Sequence, residues 1–244
     1  ILAAGTLSAV LGIIYALKEH DIKGMLAYSS IENVGIIFIG IGLSVILTAL
    51  NLPALATLSL LGALFHSLNH ALFKSLLFLT AGSVVHATHT RDIERMGGLA
   101  HRMPYTSALF FTGAAAIAAL PPLNGFASEL MIFVAMFSSI PLVDPFVKVL
   151  LFVTLALFAL TSALSAACFV KAFGSVFLAL PRSPEGEHAA EVSPLMIAGP
   201  AILAAGCIIL GIFPFQIFSL AGFALPIPDM LLMGTLLCAM TLLV

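Results

Sequence analysis

Long runs of apolar residues, broken at intervals by short polar stretches, dominate the chain, and runs of about 20 residues are long enough to cross a bilayer as helices. They predict helical spans at about 1–17, 24–50, 54–86, 105–137, 147–180 and 194–213, with a seventh starting near 230. Several exceed the ~20 residues a bilayer needs, so they must tilt, bend or project. The pattern therefore predicts an all-α, polytopic transmembrane helix bundle.

One span carries its own interruption. Pro121 and Pro122, followed by Leu123, Asn124 and Gly125, lie near the middle of the fourth apolar run. Proline removes a backbone donor and clashes with the preceding turn, so this sequence predicts a discontinuous helix. Each half has only about 15 residues, too few to span alone. A broken helix at membrane depth is tolerated where protein or a hydrated cavity surrounds it.

Alternating the spans sorts the loop charges. Lys18, Lys23, Arg91, Arg95, Arg102 and Arg182 fall on one side, and Lys148 alone on the other. The positive-inside rule then places loops 18–23, 87–104 and 181–193 in the cytoplasm.

Composition agrees: 61% of residues are hydrophobic and 8% charged, with a mean hydropathy of +1.20, so lipid must serve as solvent. The net charge of −2 comes with no basic run, which argues against nucleic acid as a partner. Cys168, Cys207 and Cys238 stand singly in apolar runs, without the spacing of a metal knuckle, an iron–sulfur ligand set or a redox dithiol. No cofactor is expected in this chain, and any redox centres belong to partners. The chain opens on Ile1 and closes on Val244, each inside an apolar stretch, and reads as a piece of a longer one.

Ionisable residues inside apolar spans cost about 2.5 to 3.5 kcal/mol each on insertion scales, so they should face the bundle interior or water. The third span holds His66, Asn69, His70 and Lys74, and a spacing of four stacks His66, His70 and Lys74 on one helical face. His66 and His70 at i and i+4 could also pair on zinc, although no HExxH glutamate lies between them and Lys74 would oppose a dication. A proton relay suits imidazole better, because it accepts on one nitrogen while donating on the other. Lys74 either serves that relay or snorkels to an interface, and taken alone His66 reads first as a satisfied core histidine.

Glu129 follows the helix break and Glu32 lies in the second span beside Ser29, Ser30 and Asn33. With no base nearby in sequence, each is protonated or paired across helices, as a proton carrier or a polar packing contact. Lys171 lies within snorkelling range of the cytoplasmic interface. His86, His89, Arg91, Asp92, Glu94 and Arg95 open the second cytoplasmic loop, where a solvated, mutually paired cluster is the default.

Four stretches carry a family resemblance: HDIKGMLAYSS from His20, HALFKSLLFLTAGSVVH from His70, HTRDIERMGGL from His89 and LPPLNGFASE from Leu120. In sequence and spacing they resemble the antiporter-like membrane subunits of respiratory complex I and its relatives. SSIENVG and LPPLNGF most resemble the hydrogenase 4 component B and formate hydrogenlyase branch. The resemblance implies two inverted five-helix repeats, each with a broken helix. Residues 1–180 would be the second, N-terminally truncated repeat, and 181–244 a cytoplasmic loop with C-terminal helices.

It also implies a proton pathway in which His70 and Lys74 match the central hydrophilic axis and Glu129 the terminal charge on the broken helix. Glu32, His66 and Lys171 join the candidate set, and Pro121, Pro122, Asn124 and Gly125 form the break. Asn33 stands where several relatives have His or Gln. The implied function is proton translocation in a hydrogenase or an NADH:quinone oxidoreductase-like complex, beside other membrane subunits and a peripheral iron–sulfur arm. The alternative is a subunit of a multi-subunit cation/proton antiporter.

Overall fold

A computed structural model describes residues 1–220 and 222 of the chain. Cys238 and the seventh apolar span lie outside the described residues. Those described form helices and no strand: α1 (Leu2–Lys18), α2 (Ile22–Ala49), α3 (Pro53–Thr88), α4 (Leu99–Arg102), α5 (Pro104–Ile117), α6 (Asn124–Ser139), α7 (Pro145–Phe177), α8 (Pro184–Glu187), α9 (Pro194–Ile212) and α10 (Pro214–Leu220). Four of these, α2, α3, α7 and α9, are long and apolar enough to cross a membrane, and α6 becomes a fifth with the 3-10 turn that carries it on to Leu142, longer than the half-span the apolar run predicts. This is a multi-pass helix bundle, as the apolar pattern predicts. The short α4, α8 and α10 are additions, too brief and too irregular in pattern to announce themselves.

The helix starts have local causes. Asp21 caps α2, its Oδ1 accepting from the amides of Lys23 (2.7 Å) and Gly24 (3.0 Å). Asp144 does the same for α7 through Phe146 and Val147. Proline opens α3, α5, α7 and α9, where its missing N–H is no loss.

α3 is the organising element, packed against α2, α5, α6 and α9. With 36 residues it is roughly 54 Å long at 1.5 Å per residue. The buried apolar side chains form two clusters. One gathers Ile13, Phe73, Phe110 and Phe169, and the other Ile36, Phe65, Met131 and Phe158. On α3, His66 and Asn69 fall between Phe65 and Phe73, in a polar layer where the two clusters meet.

Loops 18–23, 87–104 and 181–193 meet at one end of the bundle, as the charge sorting requires. The amide of Ile22 donates to the Arg91 carbonyl and that of Ile93 to the His20 carbonyl, both at 3.0 Å. Arg182 donates to the carbonyls of Met96 (2.7 Å), Ile93 (3.2 Å) and Ser175. Arg95 pairs with Glu185 at 3.0 Å. Glu191 caps α5 from the third loop, accepting from the amides of Tyr105 (2.9 Å) and Thr106 (3.2 Å) and from the Thr106 hydroxyl (2.6 Å).

The fourth apolar run is broken where the prolines predict. α5 ends in a Schellman closure: the Leu120 amide donates to Ala115 (3.0 Å), the Ala119 amide to Ala116 (3.2 Å), and Ala119 takes a left-handed φ of 50°. α6 restarts at Asn124, and the halves have 14 and 16 residues. Gly125 is required because a Cβ there would collide with the Ala116 carbonyl. Gly211, near the end of α9, meets the Pro122 carbonyl in the same way, so α9 lies directly on the break.

Candidate functional site

The polar layer runs across α2, α3 and α6. Asn33 on α2 donates from Nδ2 to the Ser29 carbonyl at 2.8 Å. A carbonyl can only accept, so this contact turns Oδ1 of Asn33 toward His66 Nε2, 3.2 Å away. The amide oxygen is likewise an acceptor, and Nε2 must therefore carry a proton. Nδ1 of His66 then faces the Ser128 hydroxyl at 2.9 Å. Asn69 Nδ2 donates to that same Oγ (3.0 Å) and to the Asn124 carbonyl (2.8 Å), while Asn124 Nδ2 returns a bond to Asn69 Oδ1 (3.2 Å).

The Ser128 hydroxyl has three places to send its proton: His66 Nδ1, the Asn124 carbonyl (3.2 Å) and the Gly125 carbonyl (3.1 Å). With a neutral ring it donates to Nδ1. With an imidazolium it turns to a carbonyl and accepts from Nδ1 instead. Both protonation states of His66 are thus hydrogen-bonded without moving a heavy atom, and a buried polar group left unpaired would otherwise cost about 1–3 kcal/mol. His66 is fully buried with both ring nitrogens hydrogen-bonded. Its ring nitrogens are both engaged by neutral partners, and the described residues include no cluster suited to a metal ion, so the zinc pairing gains no support.

Lys74 is buried on the same side of α3. Its ammonium donates to the Leu26 carbonyl and the Ser29 hydroxyl, each at 2.6 Å. Its side chain is held against α2 inside the bundle, 6% exposed. Ser29 joins Lys74 to the Asn33–His66 chain through its own backbone carbonyl. Glu32, 1% exposed, sits one turn further along α2, with Asn33 Nδ2 at 3.5 Å from Oε2. Among the described residues neither Glu32 nor Glu129 forms an ion pair.

The remaining candidates are less joined. His70 packs edge-on to Phe73, ring centroids 5.7 Å apart, and its Nε2 finds no partner among the described residues. Glu129, 4% exposed, accepts from Ser162 of α7 at 2.8 Å rather than from the His66 network. Lys171 donates to the carbonyls of Leu17 (3.0 Å) and Glu19 (3.4 Å), where it satisfies the C-terminal end of α1 and touches no other candidate. His20 pairs with Glu94 and Arg91 approaches Asp21 in the exposed loop cluster.

Three hydroxyls near the candidates, one in the layer and two on α7, were not legible in the sequence. Ser128, Ser162 and Ser165 are hydroxyls in apolar helices, and such residues commonly bond back to their own helix. Only the spacing of Ser128 from Asn124, one helical turn, hints at its place.

This arrangement sits within a known lineage. Residues 1–159 match the family model described as NADH:quinone oxidoreductase/Mrp antiporter, TM. The chain belongs to that family. It is 45% identical to hydrogenase-4 component B of Escherichia coli strain K12 over 219 residues, covering 87% of this chain and 32% of that protein. To formate hydrogenlyase subunit 3 of the same organism it is 44% identical over 229 residues, covering 93% of this chain and 38% of that protein. Among solved structures, it superposes on a chain of the membrane-bound sulfane sulfur reductase, an archaeal respiratory membrane complex. The TM-score is 0.72 at 30% identity, covering 87% of this chain and 32% of that one. The chain thus spans about a third of the length of the curated relatives it matches. The family match ends inside α7, leaving Ser162, Ser165 and all of α9 beyond it.

Proposed function

We propose that this chain is a proton-carrying part of a membrane subunit in a hydrogenase 4, formate hydrogenlyase or complex I-like oxidoreductase. The observation that carries this reading is the buried chain Lys74–Ser29–Asn33–His66–Ser128–Asn69, hydrogen-bonded across three helices. It accommodates a proton on His66 by turning a single hydroxyl. Glu32 branches from it at Asn33, and Glu129 stands on the break as the terminal carrier.

Residues 1–180 act as one five-helix repeat, and Pro121, Pro122, Asn124 and Gly125 hold the broken helix open to the carriers. His70 extends the axis beside Lys74. Lys171 is assigned to anchoring α1 rather than to carrying protons. Partner membrane subunits adjoin the bundle, and a peripheral arm with iron–sulfur clusters supplies the driving redox chemistry. The braided end of loops 18–23, 87–104 and 181–193 faces the cytoplasm, on the strength of its six cations.

Replacing Glu129 with Gln in the full-length protein, within its complex, tests the assignment. Proton uptake into inverted membrane vesicles, followed by quenching of a pH-sensitive dye during turnover, should be lost. Uptake at the parental rate would overturn the role of Glu129. A second reading, exchange of protons for a monovalent cation without a redox partner, is favoured by the antiporter half of the family description. It requires uptake driven by a sodium or potassium gradient alone.

A further inference from the structure

The polar chain of α2, α3 and α6 does not reach Glu129, whose carboxylate turns to α7 instead. Two α7 hydroxyls sit where a connection is needed. Ser162 donates to Glu129 Oε2 at 2.8 Å and has the Phe158 carbonyl as a second acceptor at 3.3 Å. Ser165, one turn further on, is 2% exposed, and its Oγ has no hydrogen-bond partner among the described residues. Across the contact between α2 and α7, that hydroxyl faces the Glu32 carboxylate.

We propose that Ser165 and Ser162 form a hydroxyl relay joining Glu32 to Glu129, a route along α7 that bypasses His66. The reading rests on the proton-carrying role argued above. Residues three apart on a helix have Cβ atoms about 5–6 Å apart, and two hydrogen bonds of roughly 2.8 Å through one water bridge such a gap. A half-open cleft of about 190 Å³, walled by Phe126 and Phe133, reaches the Glu129–Ser162 end of the relay. That is room for water at about 30 Å³ a molecule.

The transfer balances. Glu32 as the acid gives its proton to Ser165 Oγ, which passes its own to the water. The water passes one to Ser162 Oγ, and Ser162 gives its own to Glu129 Oε2. Glu32 ends as carboxylate and Glu129 as acid, and each hydroxyl keeps one proton. Ser162 then turns to the Phe158 carbonyl, so the protonated Glu129 can donate to it. The relay is complete only because Ser162 has that second acceptor.

The experiment uses the full-length protein in its complex, with dye-monitored proton uptake in vesicles normalised to the amount of subunit in the membrane. Ser165→Ala and Ser162→Ala should each lower uptake several-fold, and Ser165→Thr, which returns the hydroxyl, should restore it. Thr161→Val should stay at the parental rate, because Thr161 donates only to the Leu157 carbonyl of its own helix. If both alanine variants pump normally while Glu129→Gln is silent, the relay is wrong and the proton-carrying role stands. Normal pumping by Glu129→Gln overturns both. An alanine defect that threonine fails to repair assigns Ser165 to packing and overturns the relay.

Discussion

Leu26 is an unusual carbonyl. It accepts from Lys74 at 2.6 Å and from the hydroxyls of Ser29 and Ser30 at 3.1 Å each, more donors than two lone pairs can hold at once. Of these donors, Ser29 is the one that also touches Lys74. Ser29→Ala removes a hydrogen bond to a charged group, a loss of about 1.5–3 kcal/mol, and should slow proton uptake by roughly tenfold or more. Ser30→Ala should leave uptake near the parental rate, and equal effects from the two would remove Ser29 from the pathway. The residue types of this site were readable because His66, Lys74, Glu32 and Glu129 are costly where they stand. Their connections were not: Asn33 and Ser128 matter through the direction of one amide and one hydroxyl, and nothing along the chain encodes direction. Lys171 shows the opposite limit. A lysine in an apolar span looks the same whether it carries protons or closes a neighbouring helix end.

The broken helix was legible to the residue because two prolines and a glycine leave a helix no alternative. Its support was not, since the helix that lies on it, α9, comes some 90 residues later and shows only an apolar pattern. The glycines of α9 make this support testable. A Cβ on Gly211 would collide with the backbone at Pro122 to Asn124, one on Gly206 would make ordinary contact with Leu72, and one on Gly199 would meet nothing. Gly211→Ala should cost about 1–3 kcal/mol, as overpacking typically does, and lower the thermal midpoint of the detergent-solubilised full-length protein. Gly199→Ala and Gly206→Ala should not. A Gly211→Ala variant as stable as the parent would show that α9 does not seat the break.

At the scale of the whole molecule, the multi-pass helical architecture and the gathering of three loops at one end followed from hydropathy and the sorting of six cations. How those loops hold each other did not, because Arg182, Arg95 and Glu191 look in sequence like any exposed charges. Glu191→Ala should destabilise the full-length protein by about 1 kcal/mol, the usual worth of a helix cap, read as a lower thermal midpoint. Asp at that position, one methylene shorter, should recover part of the loss. No change in either variant would mean that the cap is redundant with Pro104.

The cap that Glu191 places on α5 also sets an order of events during synthesis. α5, at about 21 Å of helix, is too short to cross a hydrocarbon core of about 30 Å, and its first amides wait for a carboxylate 86 residues away. Insertion must therefore carry α6, α7 and the following loop past the translocation machinery before the half-helix is closed at its outer end. Until then the half-helix has α3 to pack against but its first amides uncapped, and the interval between residues 104 and 191 is when a chaperone or an early partner subunit has most to protect.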